Sequence, residues 1–315
     1  MRVLISAPYF IPVFKKYKDY FDQAGIEVDI ADVVERLSES ELMPYAGDID
    51  GVIAGDDRFT EEVLEAFAPR LKVISKWGTG IDSIDQDKAT RLGVKVFNTP
   101  DAFTDAVADS VLGYILAFAR QIPWMDDKLK SGEWEKISSV ALHECTLGVI
   151  GVGRIGKTVL KRAHAFSMTL VGNDIVEIDS GFLEAFSVEM LPLLDLLERS
   201  DFVSLNCDLN PTSQHLINDE ALARMKASAV LINTARGPVI DENSLISVLQ
   251  KGEIHGAGLD VFEDEPLPTD SPLRLMDNVL LGAHNANSSP SAWERVHKNT
   301  LKNLFQGLGL QPPSL

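Results

Sequence analysis

The chain has 315 residues, 45% of them hydrophobic and 24% charged, with a formal net charge of −18. That length allows about two domains of ordinary size, each able to bury its own core. The acidic balance argues against nucleic acid or an anionic membrane surface as a partner, and leaves open a small anionic ligand held by local cations.

Met1-Arg2-Val3-Leu4-Ile5-Ser6 runs directly into structure, so no secretory leader is expected. Val3-Leu4-Ile5 is a short apolar run, and residues 26–30, 52–54, 73–75 and 94–97 are further runs of that kind. Strands buried on both faces read this way. Helical segments lie between them, clearest at Glu61–Phe67 and about 84–92. Alternating β and α with short links predicts a parallel, doubly wound sheet over residues 1–99. After its fourth strand comes Lys76-Trp77-Gly78-Thr79-Gly80-Ile81-Asp82. Ligands bind outside the carboxyl ends of strands in such sheets. The loop is therefore either a carboxylate site, made of exposed N–H groups and Lys76, or an ordinary turn.

Asn98-Thr99-Pro100 closes this unit. Residues 103–120 then read as a long, mostly apolar helix, suited to lie between two domains. The longest apolar stretch, 111–119, is too short to cross a bilayer. A connection through Trp124 and Ser131-Gly132-Glu133-Trp134 leads to the stretch that organises the chain. Leu147-Gly148-Val149-Ile150 runs into Gly151-Val152-Gly153-Arg154-Ile155-Gly156. A helix follows with Ile155, Val159, Leu160 and Ala163 on one face, then Thr169-Leu170-Val171-Gly172 and Asp174.

Strand, glycine turn, helix, strand and acid thus fall within the roughly 30-residue unit that makes GxGxxG a dinucleotide site. Gly151 suits the tight turn, Gly153 the approach of backbone to a pyrophosphate, and Gly156 close helix–strand packing. The N–H groups that open the helix, around Arg154 and Ile155, are expected to face an anion. Asp174 suits two ribose hydroxyls and would repel a 2′-phosphate, which favours NAD over NADP. The alternative is a glycine-rich turn that binds nothing.

Further units follow, with helices at 191–199, 219–225 and 241–250 and strands at Phe202–Leu205, 229–232, 257–259 and Val279–Leu281. About six strands are expected from 146 to 281, with a last helix at about 291–307 returning to the first unit. Arg236, Glu265 and His284 each fall just past a predicted strand of this second sheet. An arginine fork suits a carboxylate, and histidine suits proton transfer near neutral pH. Taken one at a time they also read as a turn arginine, a solvated acid and a strand-end histidine. The other histidines (143, 164, 215, 255 and 297) read as structural, and Trp77, Trp124 and Trp293 as packing. Cys145 and Cys207, outside any CxxC pattern, fit a reduced cytoplasmic protein.

Asn233-Thr234-Ala235-Arg236-Gly237, the run Gly258-Leu259-Asp260-Val261-Phe262-Glu263-Asp264-Glu265-Pro266, and the late His284 resemble the signatures of the D-isomer-specific 2-hydroxyacid dehydrogenases. Within that family the chain looks most like the phosphoglycerate dehydrogenase branch without a regulatory tail. The resemblance covers nearly the whole chain. It implies an α/β protein of two doubly wound parallel-sheet domains: a Rossmann-type NAD-binding domain at 100–288 and a flavodoxin-like substrate domain at 1–99 and 289–315.

By resemblance His284 is the acid/base, Glu265 its partner, and Arg236 holds the carboxylate and 2-oxygen of a small anionic 2-hydroxy or 2-oxo acid. The loop Lys76, Trp77, Gly78 and Thr79 would meet that substrate. Thr79, Gly151, Gly153, Arg154, Ile155, Gly156, Asp174, Cys207, Thr234, Ala235, Asp260 and Asn287 would meet NAD. A homodimer through the NAD-binding domains is implied, and no metal. Lys76 in place of the branch's usual arginine, Asp109 in place of a common glutamate, and Asn285-Ala286-Asn287 in place of a glycine-containing turn are departures. The first and third leave the substrate open, 3-phosphoglycerate included. Glutamate at 265 speaks against a formate enzyme. A phosphite-dehydrogenase-like enzyme and an NAD-sensing, corepressor-like binding protein are the alternatives on this scaffold.

Overall fold

A computed structural model describes residues 1–314 and divides into two compact units. One comprises Met1–Phe103 and the segment from Ser289 onward, the other Thr104–Ser288. No helix among the described residues is long and apolar enough to cross a membrane.

In the first unit β1 (Arg2–Ile5), β2 (Glu27–Ile30), β3 (Gly51–Ala54), β4 (Val73–Lys76) and β5 (Lys95–Phe97) form an all-parallel sheet in the order β2-β1-β3-β4-β5. All residues of β3 and β4 are buried, because helices cover both faces of a parallel sheet. The helices here are α1 (Phe14–Gln23), α2 (Glu39–Leu42), α3 (Glu61–Phe67) and α4 (Gln86–Arg91). Leu4, Val52, Ala54 and Ile74 turn to one face and pack with Leu42, Val63, Leu64, Phe67 and Ala89. Strand periodicity sends their neighbours to the other face.

The second unit contains α5 (Thr104–Arg120), α6 (Ile122–Lys130), β6 (Thr146–Ile150), α7 (Arg154–Ala165), β7 (Thr169–Asn173) and α8 (Ser180–Phe186). It continues with β8 (Val188–Met190), α9 (Leu193–Arg199), β9 (Phe202–Leu205), α10 (Asp219–Ala223), β10 (Val230–Asn233), α11 (Glu242–Lys251), β11 (Gly256–Leu259) and β12 (Val279–Leu281). The sheet is parallel throughout and has seven strands in the order β12-β11-β10-β9-β6-β7-β8. The expected six becomes seven because β8 pairs at the edge beyond β7. There only Val188 is buried, so no continuous apolar run marks it. On one face Ile150, Leu205, Leu231 and Leu259 pack under α9, α10 and α11. On the other, Leu147, Val149, Leu170 and Ile232 pack under α5 and α7.

The final helix, α12 (Pro290–Gly307), belongs to the first unit. Ser75 Oγ donates to the Thr300 carbonyl at 2.8 Å. A methyl added at Gly307 would sit 2.2 Å from Val73 Cγ2, so the helix needs glycine to lie this close to β4.

Candidate active site

The strand order reverses at β6: the chain moves outward through β7 and β8, then returns to β9 on the other side. A crevice at the carboxyl edge is expected at such a switch point. The glycine turn sits there. Gly151 has φ +86°, and a Cβ on it would lie 2.5 Å from the Cys207 amide nitrogen at the end of β9. A Cβ on Gly156 would lie 2.0 Å from the Gly151 carbonyl oxygen, so helix and turn meet backbone to backbone. A Cβ on Gly153 would meet nothing within 4 Å. Gly153 caps α7, and the first helical bond runs from the Lys157 amide to its carbonyl at 2.9 Å. The amides of Arg154 and Ile155 thus precede the helical ladder and face outward from the turn.

Asp174, just past β7, is held by that turn. Its Oδ2 accepts the Val152 amide at 2.6 Å and its Oδ1 the Val176 amide at 3.1 Å. Along the same edge Asn206 Oδ1 and Thr234 Oγ1 are buried with no hydrogen-bond partner. Leaving such a group unpaired costs about 1–3 kcal/mol. A dinucleotide carrying a carboxamide and hydroxyls supplies partners for both, so the residues present fit NAD. Burial pushes the Cys207 thiol up to about 11, which keeps it a neutral lining group. Ala235 lies beside Thr234, its amide on Asn233 Oδ1 at 3.0 Å.

The adjacent strands β10, β11 and β12 deliver Arg236, Glu265 and His284 to one edge. His284 Nδ1 lies 3.0 Å from Glu265 Oε2, with side chains only 17% and 9% exposed. The other carboxylate oxygen accepts the Phe262 amide at 3.0 Å. Glu265 is therefore an anchored partner and not a solvated surface acid. The contact of Nδ1 with the carboxylate sets the orientation of the imidazole. Arg236 is staged by Asn233, whose fully buried side chain donates to the Arg236 carbonyl at 2.9 Å. Its Nη1 donates to the Ala235 carbonyl at 2.8 Å.

Asp260 is 3% exposed and accepts the amides of Asn285 at 3.0 Å and Ala286 at 2.7 Å. Its own carbonyl accepts the His284 amide at 2.8 Å. Asp260 thus holds residues 284–286 of the turn, which ends in the half-buried Asn287. The family resemblance assigned Asp260 to NAD and missed this clamp. It also missed Asn206, whose one signal is its position directly after an apolar strand.

In the first unit, the loop after β4 is laced to residues 98 and 99. Thr79 Oγ1 donates to the Thr99 carbonyl at 3.0 Å, and the Thr99 amide to the Gly78 carbonyl at 2.8 Å. Lys76 is 3% exposed, and its ammonium lies 3.0 Å from Asp56 and 3.2 Å from the Trp77 carbonyl. Trp77 stacks on Tyr9 and donates its indole N–H to His297 Nδ1 on α12 at 2.9 Å. Burial lowers His297 to about 4, opposed by Glu294 and assisted by Lys16.

A histidine whose folded value lies below its unfolded 6.5 destabilises the fold as pH falls through that window, because the unfolded chain binds the proton first. A shift from 6.5 to about 4 amounts to roughly 3 kcal/mol lost between those pH values. His297→Gln keeps an acceptor for Trp77 without the titration. Its melting temperature is expected to fall less steeply than the parent's between pH 6.5 and 4. Parallel pH curves for the two proteins would contradict this.

A parallel seven-stranded sheet with a glycine turn at its switch point, and an acid–imidazole pair on the same edge, defines an NAD-dependent oxidoreductase of Rossmann type. Residues 112–286 match the family model described as "D-isomer specific 2-hydroxyacid dehydrogenase, NAD binding domain". D-3-phosphoglycerate dehydrogenase of Methanocaldococcus jannaschii is 41% identical over 84% of this chain, which spans 51% of that protein's length. Glyoxylate reductase of Thermofilum pendens is 40% identical over 88% of this chain and 84% of its own. The crystal structure of Aquifex aeolicus D-lactate dehydrogenase, complexed with NAD and lactic acid, superposes with a TM-score of 0.83 at 30% identity. It covers 95% of this chain and 93% of that one. The chain belongs to the D-isomer specific 2-hydroxyacid dehydrogenase family, oxidoreductases that act on a CH–OH group with NAD.

Proposed function

We propose that this protein reversibly reduces a small, unphosphorylated 2-oxo acid to its D-2-hydroxy acid. The observation that carries this reading is the Glu265–His284 pair at 3.0 Å, set at the carboxyl edge of the sheet that holds the glycine turn. The nicotinamide, when bound, supplies or accepts a hydride. In reduction, His284 gives a proton from Nε2 to the substrate's 2-oxygen; in oxidation it takes that proton back. Glu265 holds the imidazole by Nδ1 and stabilises its charged form. Arg236 grips the substrate carboxylate and offsets charge growing on the 2-oxygen.

Arg154, Ile155 and Asp174 are assigned to pyrophosphate and ribose, and Thr79 with Cys207, Thr234, Ala235, Asp260 and Asn287 to the cofactor as well. Gly78, Thr79 and Trp77 are assigned to the substrate carboxylate, with Lys76 supporting the loop from below. Its pairing with Asp56 commits a cation that would otherwise favour a phosphate. That pairing, with a glyoxylate reductase among the relatives, supports a substrate of two or three carbons.

Residues 1–99 and 289–315 are inferred to form the substrate domain and 100–288 the NAD-binding domain. A homodimer through the latter is supported by exposed apolar side chains at Ile122, Leu129 and Trp134. The free cysteines and acidic charge support a cytoplasmic protein.

Absorbance at 340 nm with NADH and glyoxylate, hydroxypyruvate, pyruvate, 2-oxoglutarate or 3-phosphohydroxypyruvate tests the reading. Turnover is expected on the first two. Turnover on the phosphorylated acid alone would replace this substrate assignment. NADH binding with no turnover on any acid would favour a binding protein.

A further inference from the structure

The turn carrying His284 is held from a side that the chemistry above does not use. His284 has φ +50°, a left-handed conformation that costs a non-glycine residue about 1–3 kcal/mol and persists only where the surroundings impose it. Part of that imposition is the Asp260 clamp. A further contact comes from α5, a helix whose buried face is otherwise apolar. Ser110 Oγ lies 3.1 Å from the Ala286 carbonyl, in the middle of the turn, and also 3.1 Å from the Ala106 carbonyl. One helical turn on, Tyr114 lies over the two glycines that flank Asp260 in the sheet. A Cβ on Gly258 would sit 2.8 Å from its ring. A Cβ on Gly282 would sit 2.6 Å from its hydroxyl and 2.2 Å from Asp260 Oδ1. Burial, and then the charge of Asp260, push the Tyr114 hydroxyl well above its ordinary range, so it stays protonated beside that carboxylate.

We propose that Ser110 and Tyr114 are positioning residues for His284: they brace the 284–287 turn from α5, Ser110 through the Ala286 carbonyl and Tyr114 through Asp260. The inference rests on the reading of His284 as acid/base. Their spacing, i and i+4, puts both on one helix face, and the strands above need glycine at 258 and 282 to admit the tyrosine. With the brace in place, the imidazole is fixed relative to Glu265. When it slackens, the pair loosens and the imidazolium loses stabilisation.

The test is the pH dependence of NADH-driven glyoxylate reduction by Ser110→Ala and Tyr114→Phe, with Ser110→Thr as the conservative control and His284→Ala as the reference. In both brace variants kcat is expected to fall about tenfold, short of the roughly 10²-fold that a 1 Å misplacement can cost. The alkaline limb of the kcat profile should move to lower pH, and Ser110→Thr should restore both quantities. A lowered melting temperature with parental kcat and an unmoved limb, against an inactive His284→Ala, would reduce Ser110 and Tyr114 to packing and overturn the inference alone. Parental activity in His284→Ala would instead remove the reading beneath it.

Discussion

Replacing His284 with alanine is expected to lower kcat by about 10²–10⁴-fold, the usual contribution of a positioned acid/base, while NADH affinity stays within a few-fold of the parent. The split follows from the geometry. Nδ1 lies 3.0 Å from Glu265, so under the proposed mechanism the imidazole would act on substrate through Nε2. The residues proposed to meet the cofactor follow other strands, Gly151 after β6 and Asp174 after β7. Steady-state rates and fluorescence titration of NADH separate the two effects. Near-parental turnover in this variant would remove the proton-transfer role.

Arg236→Lys is expected to cost about 10²–10³ in kcat and to raise the KM for the 2-oxo acid. Lysine keeps the charge but is a single point, whereas an arginine fork can make two parallel hydrogen bonds to neighbouring substrate oxygens. The scaffold for that fork is built in. Asn233, at the end of β10, holds the Arg236 carbonyl with Nδ2 and the Ala235 amide with Oδ1. Added guanidinium should recover part of the rate in an Arg236→Ala variant. Unchanged kcat and KM in Arg236→Lys would show that the guanidinium does not touch the substrate.

The fold was legible where burial leaves a continuous trace. Gly51–Ala54, Val73–Lys76, Phe202–Leu205 and Val230–Asn233 are buried at every position, and central parallel strands show as unbroken apolar runs for that reason. Edge strand β8 and helix α6 carry no such trace. Val188-Glu189-Met190 has one buried residue, and α6 buries none. The shared edge of Glu265 and His284 was legible because each follows a predicted strand and parallel pairing brings such positions together, while their partnership was implied by the family resemblance. The Asp260 clamp, the Ser110–Tyr114 brace and the His297–Trp77 bond were not. Each depends on which distant helix or strand end meets which turn, joining residues 26, 176 and 220 positions apart, and no local pattern records that.

The most direct test of the central claim is isotope transfer from NADH carrying deuterium on the transferable position of nicotinamide C4, with glyoxylate or hydroxypyruvate as acceptor. The account predicts a 2-hydroxy acid with one deuterium at C2, of D configuration where C2 is chiral. NADH consumed with no deuterium at C2, or label found only in solvent, would contradict it.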